Sequence, residues 1–348
     1  MARETHNVGG NKAELRQWLE TRRKSLESSR LPFESLWREL KSNFEPYLGR
    51  ALDPNNPDDR LASREDDKIY NTEPRILLHR MAAGLQSGIT SQAQQWFRLR
   101  CLDTRLSEAS TVRRWLDEST EAVNALFARS NVYPALDQIY LHLGCFGNSA
   151  ALALPDDEFG MHTHVIDEGA YWIAENRRGR VDTLLRRMEM TLSVAAAEFG
   201  IQFLPESEQE RIKNGRHEDR ITVWHLITPN DGKRFKGIPA DSRPFISVYW
   251  LDGKHNNDAE AGIVAIRSFG YNPIIAPRWF VFGSAYGIGC GQIGLSDAKQ
   301  LQALEFDKLK LIEQEVDPSL IAPDTMKDEP IFSGPGGVTY YPEQGQRG

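Results

Sequence analysis

The chain is short of cysteine, of long apolar runs and of positive charge, and each shortage excludes something. Its 348 residues hold three cysteines, Cys101, Cys145 and Cys290. They are far apart and odd in number, so no disulfide framework or metal-binding spacing can be read from them, which suits a reducing cytosol. No stretch of about 18 apolar residues exists, so no membrane-spanning helix is expected. The polar N-terminus has no signal-peptide core. The formal net charge of −7 argues against a protein that grips nucleic acid over a broad basic surface. A local basic patch stays open. No G-x-S-x-G elbow occurs, so nothing supports a triad of Ser149, Asp182 and His225. Asp53, Asp58 and Asp59 lack the ligand spacing of a calcium loop. There is no internal repeat.

What is present reads as a soluble globular chain, 40% hydrophobic and 26% charged, long enough for one large or two ordinary domains. Residues 1–10 are expected to be disordered. Helices are expected over 11–29, 31–48, 107–130 and 133–143. Another is expected over 71–91, with Ile76, Leu77, Met81, Leu85 and Ile89 inward. A further one is expected over 181–199, closed by Gly200. The span 52–67 reads as a polar loop. Short strands are expected at 96–99, 150–154, 162–166 and 171–174, and several more between 221 and 282. The class this implies is α+β.

The rest is organised around Phe269 to Val316, FGYNPIIAPRWFVFGSAYGIGCGQIGLSDAKQLQALEFDKLKLIEQEV. It reads as an aromatic strand braked by prolines, a glycine-rich turn (283–294) and a long helix (295–316). Ser296 is the expected N-cap, and Asp297 sits in the first turn, where the helix dipole favours an anion. Ala298, Leu301, Leu304, Lys308, Leu311 and Ile312 recur at three- and four-residue spacing and make one stripe with charged flanks. The helix ends before Asp317-Pro318, because proline disfavours helix at the residue preceding it. At about 1.5 Å per residue it is roughly 30 Å long.

Three other features carry candidate chemistry. Gly289 to Gly294 matches G-x-G-x-x-G between a strand and a helix, the pattern of a dinucleotide-binding turn. The carboxylate expected about 20 residues on falls at Glu313 or Glu315, on the same helix and with no strand after it. A glycine hinge is the simpler reading. His162 and His164 would share one strand face without a third ligand nearby, which reads as a polar strand. Arg177, Arg178, Arg180, Arg186 and Arg187 form a basic cluster, read as a solvated face or as a contact for phosphates or an acidic partner. The charges of the long helix alternate, with Lys299, Lys308 and Lys310 among Asp297, Glu305, Asp307, Glu313 and Glu315. That suits a seam between helices better than a DNA grip.

The order of several motifs resembles the portal, or head-to-tail connector, of short-tailed bacteriophages. They are Pro277-Arg278-Trp279, Tyr286-Gly287, the long helix, Asp317-Pro318 with Leu320, and Pro335-Gly336-Gly337. Trp96-Phe97 after a helix with small residues, and Asp182-Thr183 in GRVDTLLRRMEMT, also fit that family. After Tyr286-Gly287 the chain has Ile288, Gly289 and Cys290, where the family tends to have a small polar residue and a proline. The resemblance covers roughly residues 30–340. It implies a portal fold: a wing domain over 11–285 (helices to about 147, then a mixed sheet), a first stem helix over 286–316 and a partial clip over 317–348. It implies Asp297, Lys299, Leu301, Leu304, Lys308 and Ile312 as stem or channel positions.

The implied partners are further copies of the chain in a dodecameric ring, the major capsid and scaffolding proteins, the terminase large subunit, a tail adaptor, and double-stranded DNA passing through without sequence specificity. No membrane, cofactor, metal or catalytic residue is implied. The expected place is the capsid vertex of the virion, with the host cytoplasm during assembly. Family members continue beyond the Pro-Gly-Gly turn with a returning stem helix and a crown, so the chain reads as a truncated or split portal. The other readings are a nucleotide-binding enzyme using the Gly289–Gly294 turn, or another phage head–tail adaptor.

Overall fold

The computed structural model describes residues 12–52, 69–103, 105–106, 109–230, 232, 243–253, 262–316, 318, 320–323 and 338–341. The expected disordered start (1–10), nearly all of the polar loop 52–67, Asp317, Pro335, Gly336 and Gly337 lie outside the described residues. In chain order the described elements are α1 (Lys12–Asn43), α2 (Glu73–Ile89), α3 (Ser110–Arg129), α4 (Val132–Phe146), β1 (Ala150–Asp156), β2 (Gly160–Ile166), β3 (Tyr171–Glu175), β4 (Val181–Thr191), α5 (Leu192–Phe199), α6 (Glu206–Lys213), β5 (Arg220–Pro229), β6 (Phe245–Leu251), β7 (Ile263–Phe269), β8 (Ile274–Ile275), α7 (Cys290–Ile293), α8 (Leu295–Val316), β9 (Leu320–Pro323) and β10 (Val338–Tyr341). The class is α+β. A five-stranded sheet runs β3-β4-β5-β6-β7 and a three-stranded one β2-β1-β8, and all their pairings are antiparallel. Strands β9 and β10 pair in parallel.

The two helices expected at the start are one. Helix α1 runs straight through Pro32. Proline has no N–H to give, so one rung of the helix ladder is missing there. Packing on either side offsets the loss. Leu15, Leu19 and Leu26 bury against Trp172, Trp224 and Trp250 of the large sheet. Trp37, Leu40 and Phe44 bury in a second cluster with α2, α4 and the foot of α8. Between the two, Arg30 donates to the Gly169 and Tyr171 carbonyls at 2.7 and 2.8 Å and pairs with Glu34 at 2.7 Å. Its guanidinium also lies 4.0 Å above the Trp172 ring.

The helix expected over 181–199 is a strand as far as Thr191, followed by the short α5. Leu184 and Leu185 are both fully buried although adjacent, which a strand covered on both faces achieves and a one-sided helix cannot. Leu184 faces Ile173 and Ile227; Leu185 faces Trp172 and Trp224. Helix α5 covers the first face farther along, over Val223, Tyr249 and Leu251. Gly200 does close α5, at φ 93°.

Residues 96–99 make no strand. Their polar groups go to side chains instead: Leu99 N–H donates to Thr120 Oγ1 and Trp96 Nε1 to the Tyr133 hydroxyl. In the proline-braked segment only Ile274–Ile275 is strand. Pro273 and Pro277 flank it and supply no donors. On α2 the buried residues are Pro74, Leu78 and Ala82, while Ile76, Leu77 and Ile89 are exposed. The face turns because α2 packs closely on α4 at Gly144, where an added Cβ would lie 2.0 Å from the Met81 methyl.

Replacing Arg30 by Met would leave two buried carbonyls without their donor. We expect Arg30→Met to lower the unfolding free energy by about 3 kcal/mol in urea titration.

Candidate functional site at the foot of the long helix

The family-like segment after β8 crosses the end of α4, and glycine makes the crossing. Gly147 ends α4 with φ 84°. A Cβ on Gly147 would lie 2.3 Å from the Gly289 nitrogen, and one on Gly287 would lie 2.4 Å from the Gly147 carbonyl oxygen. One on Gly291 would lie 2.5 Å from the Cys145 oxygen. Two stretches of bare backbone therefore lie against each other. Hydrogen bonds lock them: Trp279 N–H to the Gly147 carbonyl at 2.9 Å, Ser149 N–H to the Pro277 carbonyl at 3.2 Å, and a reciprocal pair between Phe280 and Ile288 at 3.1 and 2.8 Å.

Side chains extend this collar. Tyr286 is buried with its ring centroid 5.2 Å from both Trp37 and Phe33 of α1, and its hydroxyl accepts from the Ile173 N–H at 3.2 Å. Arg278 pairs with Glu175 at 2.7 Å and donates to the Gly179 and Ala285 carbonyls. The turn thus ties α1, α4 and the edge of the large sheet together.

Behind the collar sits a buried polar group. Glu168 accepts from the Tyr171 hydroxyl at 2.7 Å and from Asn148 Nδ2 at 3.0 Å. Burial pushes its carboxyl up to about 8, against the opposing pull of the Tyr171 hydrogen bond and the Arg30 charge. At neutral pH it is therefore mostly protonated. Burial pushes the nearby His142 imidazole down, with Asp167 acting the other way.

Helix α8 starts from this collar. Its bounds agree with the sequence reading, but Ser296 is not the N-cap: the helix already includes Leu295, and the Gly294 carbonyl accepts from the Ala298 N–H. Asp297 lies in the first turn, as expected. Leu295 and Ala298 are buried, Lys299 pairs with Glu39 of α1, and the Gln302 amide bonds the backbone of Tyr70 and Asn71. Phe306 meets the Tyr70 ring at 4.9 Å. Leu304 points outward on this foot, and beyond Phe306 the helix stands free of the described residues, with Leu309, Leu311, Ile312 and Val316 exposed.

Comparison with known proteins identifies the family. Residues 16–348 match the model for bacteriophage head to tail connecting proteins. The chain belongs to that family. It is 33% identical over 320 residues to the portal protein of Salmonella phage epsilon15, an alignment covering 90% of this chain and 56% of that protein. It is 31% identical over 328 residues to the probable portal protein of Bordetella phage BPP-1, covering 93% of this chain and 58% of that one. The chain therefore spans somewhat more than half the length of these relatives.

Among the expected residues of this connector-family chain, Pro277, Arg278, Trp279, Tyr286 and Gly287 come together at the collar. Asp297, Lys299 and Leu301 lie on the anchored foot of α8. Leu304, Lys308 and Ile312 lie on its exposed part, where Lys308 approaches Glu305 at 3.6 Å. Trp96 and Phe97 form an aromatic cluster with Phe127 near the start of α4. Asp182 and Thr183 bond each other on β4, in a strand rather than a helix. Pro318 follows α8 and is exposed.

The basic cluster is not one solvated face. Arg177, Arg178 and Arg180 lie exposed on the β3–β4 turn and Arg187 pairs with Glu189. Arg186 is buried and donates Nε–H to His225 Nδ1 at 2.8 Å. His162 and His164 stand 6.4 Å apart, ring to ring, and among the described residues no group of three metal-ligating side chains exists. Burial, with Arg186 and His162, pushes His164 down to about 4. The five- and three-stranded sheets that precede the Gly289–Gly294 turn are antiparallel, unlike the parallel sheet of a nucleotide-binding fold, and Gly289 and Gly291 are closed against α4.

Sequence reasoning missed the Glu168 cluster and the partner of the glycine turn. The available signals were GCFGN after an apolar helix and the acid pair Asp167-Glu168 before Gly169.

We expect Gly147→Ala and Gly287→Ala each to lower stability by about 3 kcal/mol or more, by overpacking and, at Gly147, left-handed backbone strain. Gly84→Ala on α2, with nothing within 4 Å of its added Cβ, is the control and should be neutral or slightly stabilising. Thermal melts of the three variants check this.

Glu168 also predicts a pH dependence. Its folded value is raised, so the folded chain holds a proton that the unfolded chain has released. Its contribution is complete below about 4.5 and is lost as pH rises towards about 8. The slope is at most about 1.4 kcal/mol per pH unit. Glu168→Gln should flatten stability between pH 5 and 8, measured by urea titration. His142 and His225, pushed down by burial, act in the opposite sense below pH 6.5 and are common to both proteins.

Proposed function

We propose that this chain is a subunit of the portal ring at one capsid vertex, a conduit for DNA during packaging and ejection. The observation that carries the reading is the match over nine-tenths of the chain to the epsilon15 portal protein. A long helix that, among the described residues, is anchored at its foot alone supports it, because such a helix presents an apolar face that neighbouring copies would cover. We assign residues 11–285 to the wing, 286–316 to the first stem helix and 317 onward to the clip. Pro277, Arg278, Trp279, Tyr286 and Gly287 form the joint between wing and stem. Trp96, Phe97, Asp182 and Thr183 belong to the wing, and Asp317, Pro318, Pro335, Gly336 and Gly337 to the clip. The positions from Asp297 to Ile312 line the stem.

In this role the subunit contacts the major capsid and scaffolding proteins, the terminase large subunit and later a tail adaptor. It performs no catalysis of its own; the packaging energy comes from the terminase ATPase. It acts in the virion and assembles in the host cytoplasm. The mixed charge of α8 suits a sliding duplex, because a strongly basic lining would hold DNA through many phosphate contacts.

Negative-stain electron microscopy with mass in solution tests the reading. Rings with a central hole are expected, and a folded chain that stays monomeric at high concentration would overturn it. Leu304→Asp and Leu311→Asp should reduce ring formation strongly while leaving the melting temperature of the unassembled chain unchanged, since both side chains are exposed there. Duplex DNA should bind the assembled ring weakly, as read by fluorescence anisotropy at low salt.

A further inference from the structure

Two arginines are buried among the described residues, Arg30 and Arg186. Arg30 meets a carboxylate, that of Glu34. Arg186 has no ion pair among the described residues, although an arginine this deep is seldom left without one. A charge taken out of water needs a counter-charge to offset the hydration it loses. The partners of Arg186 are neutral instead. Its Nε–H donates to His225 Nδ1 at 2.8 Å, and its guanidinium neighbours the Tyr249 hydroxyl. Glu198 lies within its field, but Arg267 already holds that carboxylate with both arms at 2.9 Å.

The tautomer of His225 follows from these contacts. Arginine can donate but not accept, so Nδ1 is the acceptor and the ring proton sits on Nε2. That proton goes to Ser247 Oγ at 2.7 Å. His225 therefore supplies no negative charge and cannot act as a base towards Ser247. The Tyr249 ring stacks on it at 3.9 Å, and Arg267 lies 5.2 Å from the centre of the Tyr249 ring. Burial pushes His225 down, and Arg186, Arg267 and His164 push it the same way.

These side chains make one polar seam on the sheet. Arg186, His225 and Tyr249 are cross-strand partners on β4, β5 and β6, and Ser247 of β6 is opposite Arg267 of β7. Two residues along each strand, Leu184 and Ile227 belong to one apolar cluster and Met188 and Val223 to another. The seam separates the two. His164, exposed on β2, lies within the field of Arg186. With one carboxylate against two arginines, the seam is left cationic.

We propose that this seam binds one small free oxyanion, of the phosphate or sulfate kind, on the Arg186 guanidinium beneath His164. The planar N–H arms of a guanidinium match two oxygens of one anion, which favours an oxyanion over chloride. Arg186 is 7% exposed, so a free ion reaches it where the phosphates of a duplex, held on a bulky backbone, do not. The bound ion supplies the missing counter-charge. This site stands or falls apart from the ring reading.

Sulfate is the probe, titrated into the full chain against sodium chloride at matched ionic strength. The melting temperature of the wild type should rise with sulfate along a saturating curve, as binding to the folded state requires. Arg186→Met should lose the saturating part. It should keep the linear rise that sulfate gives proteins generally by exclusion from their surface. A saturating response that Arg186→Met retains, or a wild-type response that is linear throughout, overturns the proposal. Glu198→Gln tests the site in the opposite direction and keeps the side chain's shape at a half-exposed position. Removing that carboxylate should tighten sulfate binding about fivefold by isothermal titration calorimetry. An affinity unchanged or lowered in Glu198→Gln overturns the proposal, even if Arg186→Met fails to fold.

Discussion

The contact of bare backbone at Gly147, Gly287 and Gly289 is the constraint on which the rest depends. Main chain meets main chain at distances that any Cβ would break. Because the crossing is that close, Tyr286 reaches the aromatic side chains of α1 and Arg278 reaches the sheet edge. Because it is hydrogen-bonded, α8 leaves the body in a defined direction. A helix that, among the described residues, is held at its foot alone could not otherwise be aimed.

The body is tied together around that point. Helix α1 spans both hydrophobic clusters, and Arg30 binds the loop between β2 and β3 at its middle. The loss of one helical hydrogen bond at Pro32 is small against the burial on either side. The protonated Glu168 behind the collar follows the same logic. A neutral carboxyl that accepts two hydrogen bonds can stay in an apolar region, where an ionised one would need a counter-charge in contact.

How far the sequence was readable varied from element to element for physical reasons. Helix α8 was legible to the residue, because periodicity, first-turn acid and terminal proline agree. Strand β4 was not, because Val181, Leu184, Leu185, Met188 and Leu192 suit a 3.6-residue period as well as a two-faced strand, and only the flanking strands choose. The stop at residue 30 was misread because proline usually breaks a helix, and tertiary packing overrode it. The motif residues near 277–287 were recognisable as a set, but their partner, the end of α4, lies more than a hundred residues away.

By itself, then, the sequence determined the α+β class, the long helix and the family, since these depend on local pattern and on the order of motifs. Tertiary structure alone decided which glycines matter, which arginine is buried, which carboxyl stays protonated and which part of the helix has no partner among the described residues. Those properties belong to distances between segments remote in the chain, and no local pattern encodes them.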